Sequence, residues 1–299
     1  MWVSTIAVPI ATPIISVVGA FLTALVVTKR QHRLDLDMID RQAETHYKFN
    51  ALLKYREQVR APMGQVLESL HDAGDRLYAL MNDASGEKRQ WTMEDAYYRR
   101  SFMWLLLRPL VWMEILRYRR TSLDLGLEAV TEEDQRFQGL CRLYELSLHR
   151  AQLFAGTGYD EGAAEAHVFA GDLRRMAEIL VDEDWQRPIS YARFVDEFCG
   201  TGSRAGEIAP IAQLVSHLGE ESYLTDMKLA RLLCAYVACL CILERRGLPF
   251  RPLEEPTAAL GCLPHIVTNP EFRNQLSANI EEQIILRYHQ ALKLAPAQL

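Results

Sequence analysis

The sequence predicts an all-α protein, with a single N-terminal transmembrane helix followed by a multi-helix cytoplasmic bundle. Three observations predict it. The first 28 residues carry no charged side chain. A helix over residues 2–28 would be about 40 Å long, against a bilayer hydrocarbon core of about 30 Å. Further on, apolar residues recur at helical spacing, as in Val66, Leu67, Leu70, Ala73, Leu77 and Leu80. No sustained alternation with a period of two occurs, so no strand is predicted.

Residues 1–30 are read as the anchor. Lys29, Arg30, His32 and Arg33 follow the apolar run and nothing basic precedes it, the reverse of a cleaved signal peptide. The positive-inside rule then puts the N-terminus outside the inner (plasma) membrane and residues 29–299 in the cytoplasm. Thr5, Pro9, Thr12, Ser16, Gly19 and Thr23 are spaced by three or four residues and share one helix face. Small residues and hydroxyls suit close packing between membrane helices. Three readings fit this face: a seam that assembles copies of the chain, a hydroxyl-lined wall of a pore within such an oligomer, or an incidental pattern on a monomeric anchor. Pro9 and Pro13 kink such a helix or free backbone carbonyls.

Residues 31–60 read as a charged juxtamembrane helix with apolar residues at Leu34, Met38, Ala43, Phe49, Leu52 and Leu53, continuous with the anchor or nearly so. Residues 61–299 form the all-α cytoplasmic domain. Pro62 suits the first turn of a new helix, which runs to about Asn82, and DASGEKR (83–89) reads as a loop. Residues 91–118 are the most apolar internal stretch. Arg108, Pro109 and Glu114 interrupt it, leaving less than the roughly 18 uncharged residues a span needs. It is therefore predicted as a Pro-kinked core helix in which Arg108 and Glu114 each need a partner. Residues 232–243 are also too short to span and are assigned to the core. Further helices are expected at 132–155, 161–183, 188–199, 206–218, 224–246 and 270–294. Turns are expected at Gly156-Thr157-Gly158, at Gly200-Thr201-Gly202 and across 247–264.

Composition limits the chemistry. The chain has 299 residues, 49% of them hydrophobic and 24% charged, with a net charge of −6; it is a folded protein without a general nucleic-acid-binding surface. None of its six cysteines forms a C-x-x-C pair or a zinc spacing, so they read as small buried thiols. Gly200-Thr201-Gly202-Ser203 lacks the lysine of a phosphate-binding loop and reads as a turn. His149 and His167 lie near Glu145 and Glu165, but not at the spacing of carboxylate-bridged metal bundles, and read as surface histidines. No catalytic set, metal site or cofactor is predicted.

Arg99, Arg100, Arg117, Arg119 and Arg120 flank the apolar helix. Guanidinium groups match phosphate in a bidentate way, so one reading is a pocket for a nucleotide or oligonucleotide signal. The other is salt bridges to Glu94, Asp95, Asp124 and the run Glu132-Glu133-Asp134. Arg174-Arg175 is a weaker second candidate.

The segment YYRRSFMWLLLRPLVWMEILRYRRTSLDLG (97–126) resembles a widespread, uncharacterised family of largely helical bacterial proteins with a W-x-E-I-L-R core and a Leu-Asp-Leu close. Here these are Trp112, Glu114, Ile115, Leu116 and Arg117, then Leu123, Asp124 and Leu125. Residues 54–81 are similar to that family's preceding helix. The resemblance covers about a third of the chain and implies an all-α fold, with no activity to carry over. The function expected is a non-enzymatic, oligomeric, membrane-anchored effector or sensor whose N-terminal helices form a ligand-gated pore, as in bacterial antiviral defence. The alternative is a membrane-tethered scaffold that recruits a cytoplasmic partner.

Overall fold

The computed structural model describes residues 7–83, 85–94, 96–122, 132–158, 167–220, 222–245, 257–267 and 269–288. The side chains of 7–18, 56, 93–94, 122, 132–136, 223–224 and 244–245 stand outside that description. The chain divides into two units, Met1–Lys54 and Tyr55–Leu299. Among the described residues every regular element is helical, and an isolated antiparallel bridge joins Val181 and Pro188.

The first unit is built on α1 (Ala7–Tyr55), 49 residues without a break. The uncharged run 7–28 and the charged segment that follows it thus belong to one helix. Among the described residues no helix is long and apolar enough to cross a membrane. Of the small-residue face, Thr5 and the side chains of Pro9, Thr12 and Ser16 lie outside the described residues. Gly19 and Thr23 lie within them, and both are exposed. The Thr23 hydroxyl donates to the Gly19 carbonyl at 2.8 Å, and Thr28 repeats the pattern on Ala24. Both hydroxyls therefore spend their donor on their own helix.

The second unit opens with a π-helical turn, Arg56–Arg60, and continues through α2 (Ala61–Met81) and α3 (Glu87–Glu94) to α4 (Ala96–Ser122). Pro62 occupies the first turn of α2. The loop expected at 83–89 is shorter than predicted. The Asp83 carboxylate accepts from the backbone N–H of Lys88 at 2.6 Å and of Arg89 at 3.3 Å. That satisfies the otherwise orphaned donors at a helix start, so α3 begins at Glu87.

Next come α5 (Glu132–His149), a 3₁₀ turn (Ala151–Phe154), α6 (Ala170–Ile179), α7 (Tyr191–Phe198), α8 (Ala209–Val215) and α9 (Tyr223–Arg245). α10 (Leu263–Ile266) and α11 (Pro270–Ile280) follow, then a second π turn, Glu281–Ile285. The segment expected to be a Pro-rich turn is thus helical over 258–266. Asn269 caps α11, accepting from the N–H groups of Glu271 and Phe272, and Pro270 occupies the first turn.

α9 packs against α2 and α5, and α4 against α2 and α6. Every residue of α9 from 227 to 243 is buried, the signature of a helix enclosed on all sides. Its two buried cations are accommodated individually. Lys228 donates its ammonium to the Ser216 carbonyl at 3.1 Å, and the Arg231 guanidinium lies 4.6 Å from the centre of the Phe154 ring. Core helices are tied by buried polar bonds. Tyr144 donates to the Leu106 carbonyl, and Asn279 to the carbonyls of Leu153 and Ala155.

Candidate functional site

α4 carries the candidate site residues because it is apolar in the middle and basic at both ends. Its apolar centre buries Phe102, Leu106, Leu107, Val111 and Ile115 completely. Pro109 sits inside it, yet the helix runs on to Ser122. Arg108 is half-buried and reaches back to α2, with Nη1 2.8 Å from Asp72 and Nη2 3.9 Å from Glu68. Glu114 is buried and pairs with Arg117.

The five arginines do not converge on one pocket. Arg99 and Arg117 lie 18 positions apart on one helix, about 27 Å at 1.5 Å per residue. They belong to two different cavities. Arg119 belongs to neither, because its guanidinium donates to the carbonyl and side-chain oxygens of Gln186 at 2.9 and 2.7 Å. Arg120 lines neither cavity. The acidic partners expected for this set lie outside the described residues or have side chains that do.

The first cavity, about 430 Å³, lies between the start of α4, the end of α7 and α8. Arg99 and Arg100 line it with Met103, Phe198, Ile208 and Ala212, and no carboxylate is among its lining residues. Arg100 spends only its Nε on the Ala96 carbonyl of its own helix. Among the described residues Arg99 has no hydrogen-bond or ion-pair partner. Cys199 and Gly200 complete the wall. Burial pushes the Cys199 thiol up, although Arg100 and Arg99 pull it down, so it is held protonated and unreactive. Gly200-Thr201-Gly202 is a turn, as predicted, with Gly200 at φ +61°.

The second cavity, about 300 Å³, is a cleft between α4, α5 and α6. The W-x-E-I-L-R segment supplies Glu114 and Arg117, and α5 supplies Arg142, Glu145 and His149 from one face. α6 supplies Arg174 over an apolar floor of Leu110, Leu173 and Ala177. Arg117 bridges Glu114 and Glu145, the latter at 2.8 Å. Arg174 pairs with Glu178 at 3.0 Å. Desolvation raises the Glu114 carboxyl above its ordinary value against the pull of Arg117, and burial lowers the His149 imidazole. Neither His149 nor His167 is the exposed surface histidine expected. His149 is half-buried and His167 is buried, with its ring 4.4 Å from Phe169.

Sequence reasoning missed Arg142, Glu145 and His149 as members of this cleft. Their three- and four-residue spacing places them on one helix face, which was the available signal. Five of the six cysteines are buried and Cys262 is half-buried. Burial pushes Cys234 up to about 12. No protein-family model, curated protein or solved structure matches the chain.

Proposed function

We propose that this chain is a membrane-anchored, self-associating sensor of the non-enzymatic kind. Residues 2–28 hold it in a bilayer, and the helical domain receives an anionic ligand in the Arg99–Arg100 cavity. One observation carries the anchoring: residues 7–28, uncharged and followed by Lys29, Arg30 and Arg33, lie within the single helix Ala7–Tyr55. A charge-free run ended by basic residues is the pattern of a retained span with its basic side in the cytoplasm. The ligand class follows from chemistry. Two adjacent guanidinium groups, with no carboxylate lining the same cavity, favour phosphate, and the apolar wall of Met103, Phe198 and Ile208 suits a flat apolar body such as a nucleobase.

The self-association is read as a packed seam rather than a water-filled lumen. A threonine that bonds its own backbone, as Thr23 does, has spent its one donor and keeps only acceptor lone pairs for a passing water or cation. A ligand-gated pore in antiviral defence is the sharper form of this proposal, and Thr23 does not favour it.

The test uses the full-length chain. Wild type should stay in the membrane pellet through alkaline carbonate extraction, and Leu22→Arg should release it. Nucleoside mono-, di- and triphosphates should raise the melting temperature of the wild type and not of the Arg99→Ala, Arg100→Ala double variant. Recovery of the wild type in the soluble fraction would end the anchor reading, and equal nucleotide shifts in both proteins would end the ligand reading.

A further inference from the structure

The charges of the α4–α5–α6 cleft do not cancel one another completely. Three guanidinium groups, Arg117, Arg142 and Arg174, stand near three carboxylates, Glu114, Glu145 and Glu178. Arg174 is committed to Glu178. Arg117 is shared between Glu114 and Glu145, so one cation serves two anions and about one carboxylate equivalent stays unanswered. Among the described residues Arg142 has no hydrogen-bond or ion-pair partner, and it lines the same cleft. The cleft therefore holds one unspent positive charge and one unspent negative charge. Its apolar floor is Leu110, Leu173 and Ala177.

That imbalance selects a ligand. A phosphate dianion needs two free cations and finds one. A simple cation leaves Arg142 unanswered, and a simple carboxylate leaves the glutamates so. Moving any net charge into a half-buried cleft carries a desolvation cost that only matched partners offset. A zwitterion brings one charge of each sign and leaves no remainder.

We infer that this cleft is a binding site for a free α-amino acid with an apolar side chain. The ligand carboxylate meets Arg142 on α5. Its ammonium lies against Glu145 and Glu114, and its side chain lies on Leu110 and Leu173. A cavity of about 300 Å³ accommodates an amino acid of leucine or phenylalanine size. His149, neutral through burial, adds no charge to the balance. This inference is independent of the anchor and of the Arg99–Arg100 ligand.

Three probes and one variant decide it. L-Leucine, 4-methylpentanoate and isoamylamine share an apolar chain and differ in carrying both charges, the carboxylate alone or the ammonium alone. Calorimetric titration of the full-length protein should give saturable leucine binding. Both single-charge analogues should bind at least about tenfold more weakly, because each leaves one charge of the cleft, Arg142 or the glutamate pair, unmatched. Arg142→Ala removes an exposed side chain and should leave the melting temperature unchanged. It should weaken leucine at least about tenfold, to the level of isoamylamine. The assignment is overturned if the analogues bind as well as leucine, if Arg142→Ala binds leucine like the wild type, or if leucine fails to bind at millimolar concentration.

Discussion

Single residues in this fold are constrained by backbone approach and by charge, and each makes a prediction. A Cβ added at Gly202 would stand 2.4 Å from the Glu197 carbonyl oxygen and 2.8 Å from that of Asp196. Both are backbone atoms of α7 and cannot swing aside. Gly202→Ala should therefore destabilise by about 1–3 kcal/mol, the usual cost of overpacking. Gly206→Ala, where a Cβ meets nothing within 4 Å, should be close to neutral. Thermal melts of the two variants give the comparison. Glu114 makes the second prediction. Burial raises its carboxyl above 4.5 in the folded chain, so between the unfolded and folded values the native state binds more protons than the unfolded one. Stability contributed by this group is then present at low pH and lost as pH rises through that window. Glu114→Gln removes the titration, and the stability difference between variant and wild type should shift in the variant's favour from about pH 4 to pH 7. Denaturant midpoints that move in parallel across that range would contradict it. The candidate arginines show where residue-level reading stops. Guanidinium chemistry grouped Arg99, Arg100, Arg117, Arg119 and Arg120 as one ligand pocket, whereas Arg99 and Arg100 line one cavity and Arg117 another. Sequence adjacency could not reveal that Arg119 turns to Gln186 or that Arg117 joins Arg142 and Arg174, because those meetings depend on how α4, α5 and α6 cross.

At the scale of the element, the apolar runs were legible and the boundaries less so. Residues 232–243 were too short to span a membrane and too apolar to sit outside, and they lie within the buried length of α9, 227–243. The Pro-interrupted stretch 91–118 was assigned to the core, and α4 buries its centre in the same way. The misses have local causes. The Asp83 carboxylate starts α3 inside an expected loop, and 258–266 is helical in a stretch whose prolines suggested turns only. Prolines at the first turn of α10 and α11 mark helix starts instead. α9 also predicts a clear contrast. Leu233 is fully buried in it, and Leu233→Ala should cost about 2–5 kcal/mol. Leu286 is 47% exposed, and Leu286→Ala should stay within about 0.5 kcal/mol of wild type. Urea unfolding of both variants checks the pair. Equal losses would mean that α9 is not the centre of the core.

For the whole molecule, the question is what the exposed first unit does with its apolar surface. Phe21, Leu22, Leu25, Val26 and Val27 are between 51% and 66% exposed along α1. An aqueous surface seldom carries so many large apolar side chains in succession, whereas a bilayer or a second copy of the helix covers them at no cost. Gly19 and Thr23 separate those two kinds of cover. A Cβ at Gly19 would meet nothing within 4 Å, so bulk at that position does not disturb the protomer. Any effect of Gly19→Leu therefore reports on a neighbouring helix. If helices meet along the small-residue face, the leucine side chain should hold them apart and weaken assembly, while membrane retention stays intact because the substitution adds apolar surface. Thr23→Val should change little, since the hydroxyl it removes bonds to the Gly19 carbonyl of the same helix rather than across a contact. Light scattering of the full-length protein in detergent would show the outcome. A smaller particle for Gly19→Leu with an unchanged one for Thr23→Val supports the seam. An unchanged particle for both leaves α1 as an anchor that each copy uses alone.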